Sequence, residues 1–233
     1  MKEQDLIFDR KKHILYSDQV KKVIQDRLRA DYPADQADRL WEQTRKNFVA
    51  ILEDLPDMGG SKNMQSASVY DCAALFAYYQ AVPEKPTLEV FGRMNEDLFV
   101  PAMARASYAN LNRPLFMKAA GCIWRHLAKV NLRRREDWPG NYIMEMREVP
   151  EGCKYVFLRC PIAEMAKRLG LTHLRPAMCN PDYPMLEQLG AGLIRTTTCA
   201  HGDCCDFWIV GSESPLLQQH LVKQSEEGYL YNE

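Results

Sequence analysis

The stretch DWPGNYIMEMREVPEGCKYVFL, Asp137–Leu158, is where the chain changes period. Before it, apolar residues recur every three or four positions; within it they alternate. From Tyr142 to Arg147, Met144 and Met146 alternate with Glu145 and Arg147, the pattern of a half-buried strand. Asp137-Trp138-Pro139-Gly140 and Val149-Pro150-Glu151-Gly152 read as turns. Lys154 to Leu158 is then a second strand, and the two form a hairpin.

Upstream the sequence reads as helix after helix. Ser17 can cap a segment with Val20, Val23, Ile24 and Leu28 on one face, broken at Tyr32-Pro33. A second helix carries Trp41, Phe48, Ile51, Leu52 and Leu55 and ends at Pro56. Gly59-Gly60 forces a turn whose backbone can approach a ligand closely. A third helix, from about Ser66 to Gln80, is rich in small residues and is expected to pack tightly against a neighbour. Thr87 starts a fourth, which Pro101 should kink or divide. Asn112 caps a fifth, with Pro114 in its first turn, that runs to Arg133-Arg134-Arg135.

Downstream, Pro161 opens a short helix closed by Gly170, and Tyr183 to Leu189 forms another before Gly190. Leu193 to Thr198 and Cys205 to Val210 are expected as the last two strands, turned around His201-Gly202-Asp203. Helices first and antiparallel hairpins afterwards define an α+β fold, an N-terminal helical half packed with a C-terminal sheet built from two hairpins. One domain is expected over residues 1–233: a helical half (1–135), a hairpin-rich half (136–211) and a peripheral polar tail (212–233).

The chain has 233 residues, 30 Lys+Arg against 31 Asp+Glu, and a formal charge of -1. That balance gives no reason to expect a nucleic acid or an acidic surface as partner. The first residues, MKEQDLIFDRKKH, contain no apolar signal core, and no window approaches the roughly 20 apolar residues of a membrane span. A cytoplasmic protein is expected, with its eight cysteines reduced, a small molecule as partner and a homo-oligomer left open.

Chemistry concentrates in RTTTCAHGDCCDFWIVG, Arg195–Gly211. Cys199, His201, Cys204 and Cys205 are soft ligands, but they crowd one knuckle, and a structural zinc takes ligand pairs from two loops. Adjacent Cys204 and Cys205 on a strand point to opposite faces. No cofactor is expected, with a divalent metal as the alternative. Asp206 must either meet water or find a cation, since a carboxylate beside a tryptophan is costly to bury unpaired. Arg195 is either a bidentate clamp for a small carboxylate or a cross-strand partner of Asp206. Nucleotide, P-loop, serine-hydrolase and zincin motifs are absent.

Five segments, in this order, are similar to one family. They are Leu55-Pro56-x-x-Gly59-Gly60-x-x-Asn63, Leu75-x-Ala77-Tyr78-Tyr79, Cys179-x-x-Asp182-Tyr183, Arg195-Thr196-x-Thr198 and Gly202-x-x-Cys205-Asp206-Phe207. Together, from Leu55 to Val210, they resemble the L-2-amino-thiazoline-4-carboxylic acid hydrolase family. One departure is Trp208, where a basic residue is expected after Cys-Asp-Phe. The resemblance implies hydrolysis of a cyclic amidine: 2-aminothiazoline-4-carboxylate takes up water and opens to a carbamoyl-cysteine. It implies a substrate site of Arg195, Thr198, Asp182 and the Gly59-Gly60 backbone. Within it Arg195 clamps the carboxylate, Asp206 holds the amidinium, Asn63 donates to the tetrahedral intermediate, and Cys205 or a water attacks. If the last strand is regular, Cys205 and Asp206 cannot both face that site. A fold-level similarity to vinyl-reductase-like ligand-binding domains supplies the alternative, a small-molecule sensor without catalysis.

Overall fold

A computed structural model describes residues 17–105, 108–199 and 202–233. The Met1–His13 stretch discussed above lies outside the described residues. Five helices come first: α1 (Asp18–Asp31), α2 (Ala34–Asp54), α3 (Ser66–Ala81), α4 (Leu88–Arg105) and α5 (Pro114–Arg133). The first hairpin follows as β1 (Ile143–Arg147) and β2 (Cys153–Arg159). Three short helices come next, α6 (Pro161–Arg168), α7 (Arg175–Cys179) and α8 (Asp182–Glu187), and then strands β3 (Ala191–Ile194) and β4 (Cys205–Gly211). The chain ends in α9 (Leu216–Gln219) and a small hairpin, β5 (Val222–Gln224) with β6 (Leu230–Asn232). The expected α+β class is the observed one. No described helix is long and apolar enough to cross a membrane.

Local chemistry explains the start of α1. The Ser17 hydroxyl accepts a hydrogen bond from the Val20 amide, satisfying one orphan donor of α1. α3 is apolar all round and lies at the centre, with Ala73, Leu75, Phe76 and Ala77 without exposure. α4 runs through Pro101 without the expected division. A proline at 101 removes the donor that the Asp97 carbonyl would normally receive. The Gln19 side-chain amide donates to that carbonyl instead, at 3.0 Å.

The main sheet is antiparallel in the order β1-β2-β4-β3. Its register sets Tyr155 opposite Phe207, Val156 opposite Asp206 and Phe157 opposite Cys205. Because side chains alternate along a strand, Tyr155, Phe157, Cys205 and Phe207 share one face, and Val156, Asp206 and Trp208 the other. The first face looks toward α5 and encloses the cavity described below. β3 ends at Ile194, four residues short of the expected Thr198. Beyond it the backbone of Thr196 and Thr197 bonds to the Asp206 side chain, which displaces ladder pairing. The tail is not peripheral: Tyr229 and Asn232 are buried, and the Asn232 amide donates to the Arg195 carbonyl at 2.7 Å.

Candidate functional site

A cavity of about 500 Å3 lies between α3, α5, the sheet face carrying Tyr155 and Phe207, and the α7–α8 segment. Its sheet side is aromatic. Trp124 stacks on Tyr155 at 4.5 Å, and Tyr155 on Phe207 at 5.1 Å with 9° between the rings. Phe157 meets Phe207 edge-on at 5.5 Å. Another part of the lining is one continuous piece of chain, from Arg175 to Leu189, and carries the cavity's charged groups, Arg175 and Asp182.

Asp182 is the most telling of these groups. Its Oδ2 accepts a hydrogen bond from Arg195 Nη1 at 2.9 Å. The side chain keeps 26% of its surface and lines the cavity. Burial pushes its carboxyl up to about 6, against the opposing pull of Arg195. The carboxyl therefore titrates near neutrality, the range in which a carboxylate can accept and return a proton.

Arg195 holds Asp182 and is itself fully enclosed. Nη1 also donates to the Cys179 carbonyl at 3.0 Å, and Nη2 to the Leu230 carbonyl at 3.2 Å. The guanidinium lies 4.9 Å from the Tyr183 ring centroid and 5.7 Å from that of Phe207. Asn232 fixes the backbone beneath it, its Oδ1 accepting from the Arg195 amide and the Tyr183 hydroxyl, both at 2.8 Å. This corrects the expected substrate clamp. Burial opposes the Arg195 charge, and Asp182 together with Cys179, Cys205 and Tyr183 more than restores it. The guanidinium positions a carboxylate of the protein and is absent from the cavity lining.

Asp206 is placed on the far face of the sheet, as strand alternation requires. It is buried, accepts from the amides of Thr196 and Thr197 at 2.8 Å each and from the Thr196 hydroxyl at 3.1 Å, and pairs with Lys154 at 3.1 Å. It pins the loop between β3 and β4 and does not face the cavity, so the expected contact with an amidinium is corrected too. The cross-strand pair of Arg195 with Asp206 does not form, because each finds a partner elsewhere.

Asn63 and Gly59-Gly60 are likewise outside the cavity lining. Asn63 Nδ2 donates to the Met58 carbonyl at 2.7 Å and to Asn141 Oδ1 at 2.8 Å. Asn141 donates to Asn131, Asn131 to the Gln65 side chain, and the Gln65 amide back to Asn63, closing a ring of amides. These bonds occupy the Asn63 amide; its effect on the cavity passes through Gln65, which lines it. Gly59 has φ 85°, and a Cβ there would lie 2.3 Å from the Trp138 ring. The close approach its backbone permits is therefore to Trp138 and not to a ligand.

Cys205 and Thr198 line the cavity, together with Cys72, Cys160, Cys179 and Cys199. Five of the eight cysteines thus meet in one space, a convergence invisible in their spacing. All eight are free thiols. Burial raises Cys160 and Cys179 to about 12, Cys199 to about 11, and Cys72 and Cys205 well above the ordinary thiol value. They sit as neutral thiols, whereas the nucleophile is the thiolate. Among the described residues no three His, Cys, Asp or Glu side chains are arranged to hold a metal; His201 lies outside those residues.

Arg175, Trp124, Tyr155 and Gln65 escape a reading from sequence. None sits in a motif, and they arrive from four separate places: the start of α3, α5, β2 and α7.

Residues 67–209 match the family model for L-2-amino-thiazoline-4-carboxylic acid hydrolase. No curated protein and no solved structure matches the chain.

Proposed function

The chain belongs to the L-2-amino-thiazoline-4-carboxylic acid hydrolase family, and from that premise we propose that it opens a cyclic amidine by adding water at the amidine carbon, with Asp182 as the acid–base group. The observation that supports this most is the carboxylate of Asp182. It is held by Arg195 and belongs to the lining of a cavity whose other residues are mostly apolar.

In this reading the protonated amidine enters as a cation and meets the Asp182 carboxylate. Low-dielectric surroundings strengthen that attraction. Water attacks the amidine carbon and gives a proton to Asp182, forming a tetrahedral intermediate. The carbon–sulfur bond then breaks, the ring sulfur leaves with the bonding pair, and Asp182 returns the proton to it. One water is consumed, and a ureido product with a free thiol is released. Cys205 is not needed as nucleophile, in keeping with the neutral state burial imposes on it.

The test is direct. The protein at catalytic concentration is mixed with 2-aminothiazoline-4-carboxylate and followed by mass spectrometry and a thiol reagent. A product heavier by one water, bearing one new thiol, is expected. The neutral thiols and the apolar cavity also suit a ligand sensor without turnover. In that case calorimetry shows saturable binding and no product forms.

A further inference from the structure

The cavity is larger and far more apolar than the bare ring requires. The aminothiazoline carboxylate has about nine non-hydrogen atoms and fills on the order of 150 Å3 at the packing density of organic solids. The space available is about 500 Å3, within the roughly 300–1,000 Å3 range of pockets that enclose drug-sized ligands. A small zwitterion alone would leave the stack of Trp124, Tyr155 and Phe207 facing water, at a cost proportional to its apolar area.

The two charged groups of the lining come from one continuous piece of chain. Arg175 opens α7, and its Nε donates to the Thr172 carbonyl at 3.3 Å. Its Nη groups keep the fork that suits a carboxylate. Seven residues on, the Asp182 side chain brings a carboxylate to the same lining. The Arg175–Leu189 stretch thus complements a zwitterion, and the aromatic part of the lining complements an aromatic or aliphatic group.

We propose that the substrate is a cyclic amidine carboxylate bearing a large apolar substituent, its carboxylate on Arg175, its amidinium on Asp182 and its substituent on the Trp124–Tyr155–Phe207 wall. The proposal rests on the hydrolytic reading for its amidine and carboxylate. The substituent rests on cavity size and wall chemistry alone.

The test compares 2-aminothiazoline-4-carboxylate with its 5-phenyl derivative, and each carboxylate with its carboxamide, by calorimetry and by turnover. Burying the phenyl ring should tighten binding on the order of thirtyfold. Leu127→Trp, which fills the space beside Trp124, should abolish that advantage. Arg175→Ala should weaken both carboxylates about tenfold and leave the carboxamides unchanged; Arg175→Lys should restore part of the loss. If the wild-type protein binds and turns over the bare ring as well as the phenyl derivative, the substituent site is wrong and the hydrolytic reading stands. Tight binding of the phenyl derivative with no turnover leaves the substituent site standing and sinks hydrolysis. Binding of neither compound overturns both. Equal loss of carboxylate and carboxamide in Arg175→Ala removes Arg175 from the carboxylate contact.

Discussion

Asp182 and Asp206 are two aspartates with a cation each, yet their surroundings give them opposite uses. Asp206 receives two backbone amides, a threonine hydroxyl and Lys154. Its oxygens are occupied, and the residue is spent on joining β4 to the Thr196-Thr197 loop. Asp182 receives the Arg195 guanidinium on one oxygen and lines the cavity. A carboxylate saturated by its own fold is structural. One that lines a cavity and is held by a single cation keeps a charge to offer.

That contrast is breakable. The largest effect is expected from Asp182→Asn, which should lower turnover of the thiazoline by about 10²–10⁴-fold, the range for loss of a general acid–base group. The matching change Asp206→Asn should leave ligand affinity unchanged within twofold. Loss of turnover with Asp206→Asn in a normally folded protein would invert the assignment.

Next comes Arg195→Met, which strands a buried carboxylate. Breaking a buried pair from one side costs about 3–5 kcal/mol. The sign with pH follows from the Asp182 carboxyl, which burial raises from 3.8 to about 6. A raised carboxyl stabilises the fold below its unfolded value, and that contribution is lost as pH rises from about 4 through about 6. Urea unfolding of Arg195→Met should therefore show a smaller deficit at pH 5 than at pH 8. A deficit equal at both would mean that Asp182 does not carry the cost.

A third expectation concerns rate against pH. If the ionised Asp182 is the base, kcat/KM rises about tenfold per pH unit below about 6 and levels above it. The limb should vanish in Asp182→Asn and persist in Asp206→Asn. A smaller effect belongs to Asp206→Asn itself, which should cost about 1.5–3 kcal/mol through its charge-assisted bonds, read as a shift in the unfolding midpoint. Smallest is Cys205→Ala, expected to change turnover less than about threefold, because a thiol held neutral by burial is a poor nucleophile. A fall of a hundredfold would restore the covalent route.

The helical half was legible because its signals are local. The Ser17 cap and the small residues of α3 each act within a turn or two. The alternation of Met144 and Met146 in Asp137–Leu158 likewise placed the hairpin and hence the α+β class. Alternation also foretold that Cys205 and Asp206 would part company across the sheet. It could not say which of them faced the ligand space, since either face could have been covered.

Partner choice was beyond the sequence. Arg195 lies eleven residues from Asp206 and thirteen from Asp182, and a hairpin reading favours the nearer. The fold decided otherwise, because β3 stops at Ile194 and the Thr196-Thr197 amides reach Asp206 first. Arg195 then turns toward α8, where Asn232 from the tail locks its backbone. Local pattern thus determined which segments are helix and strand. Only tertiary packing decided which charges are spent within the fold and which remain for a ligand, since that depends on which donors arrive from distant segments.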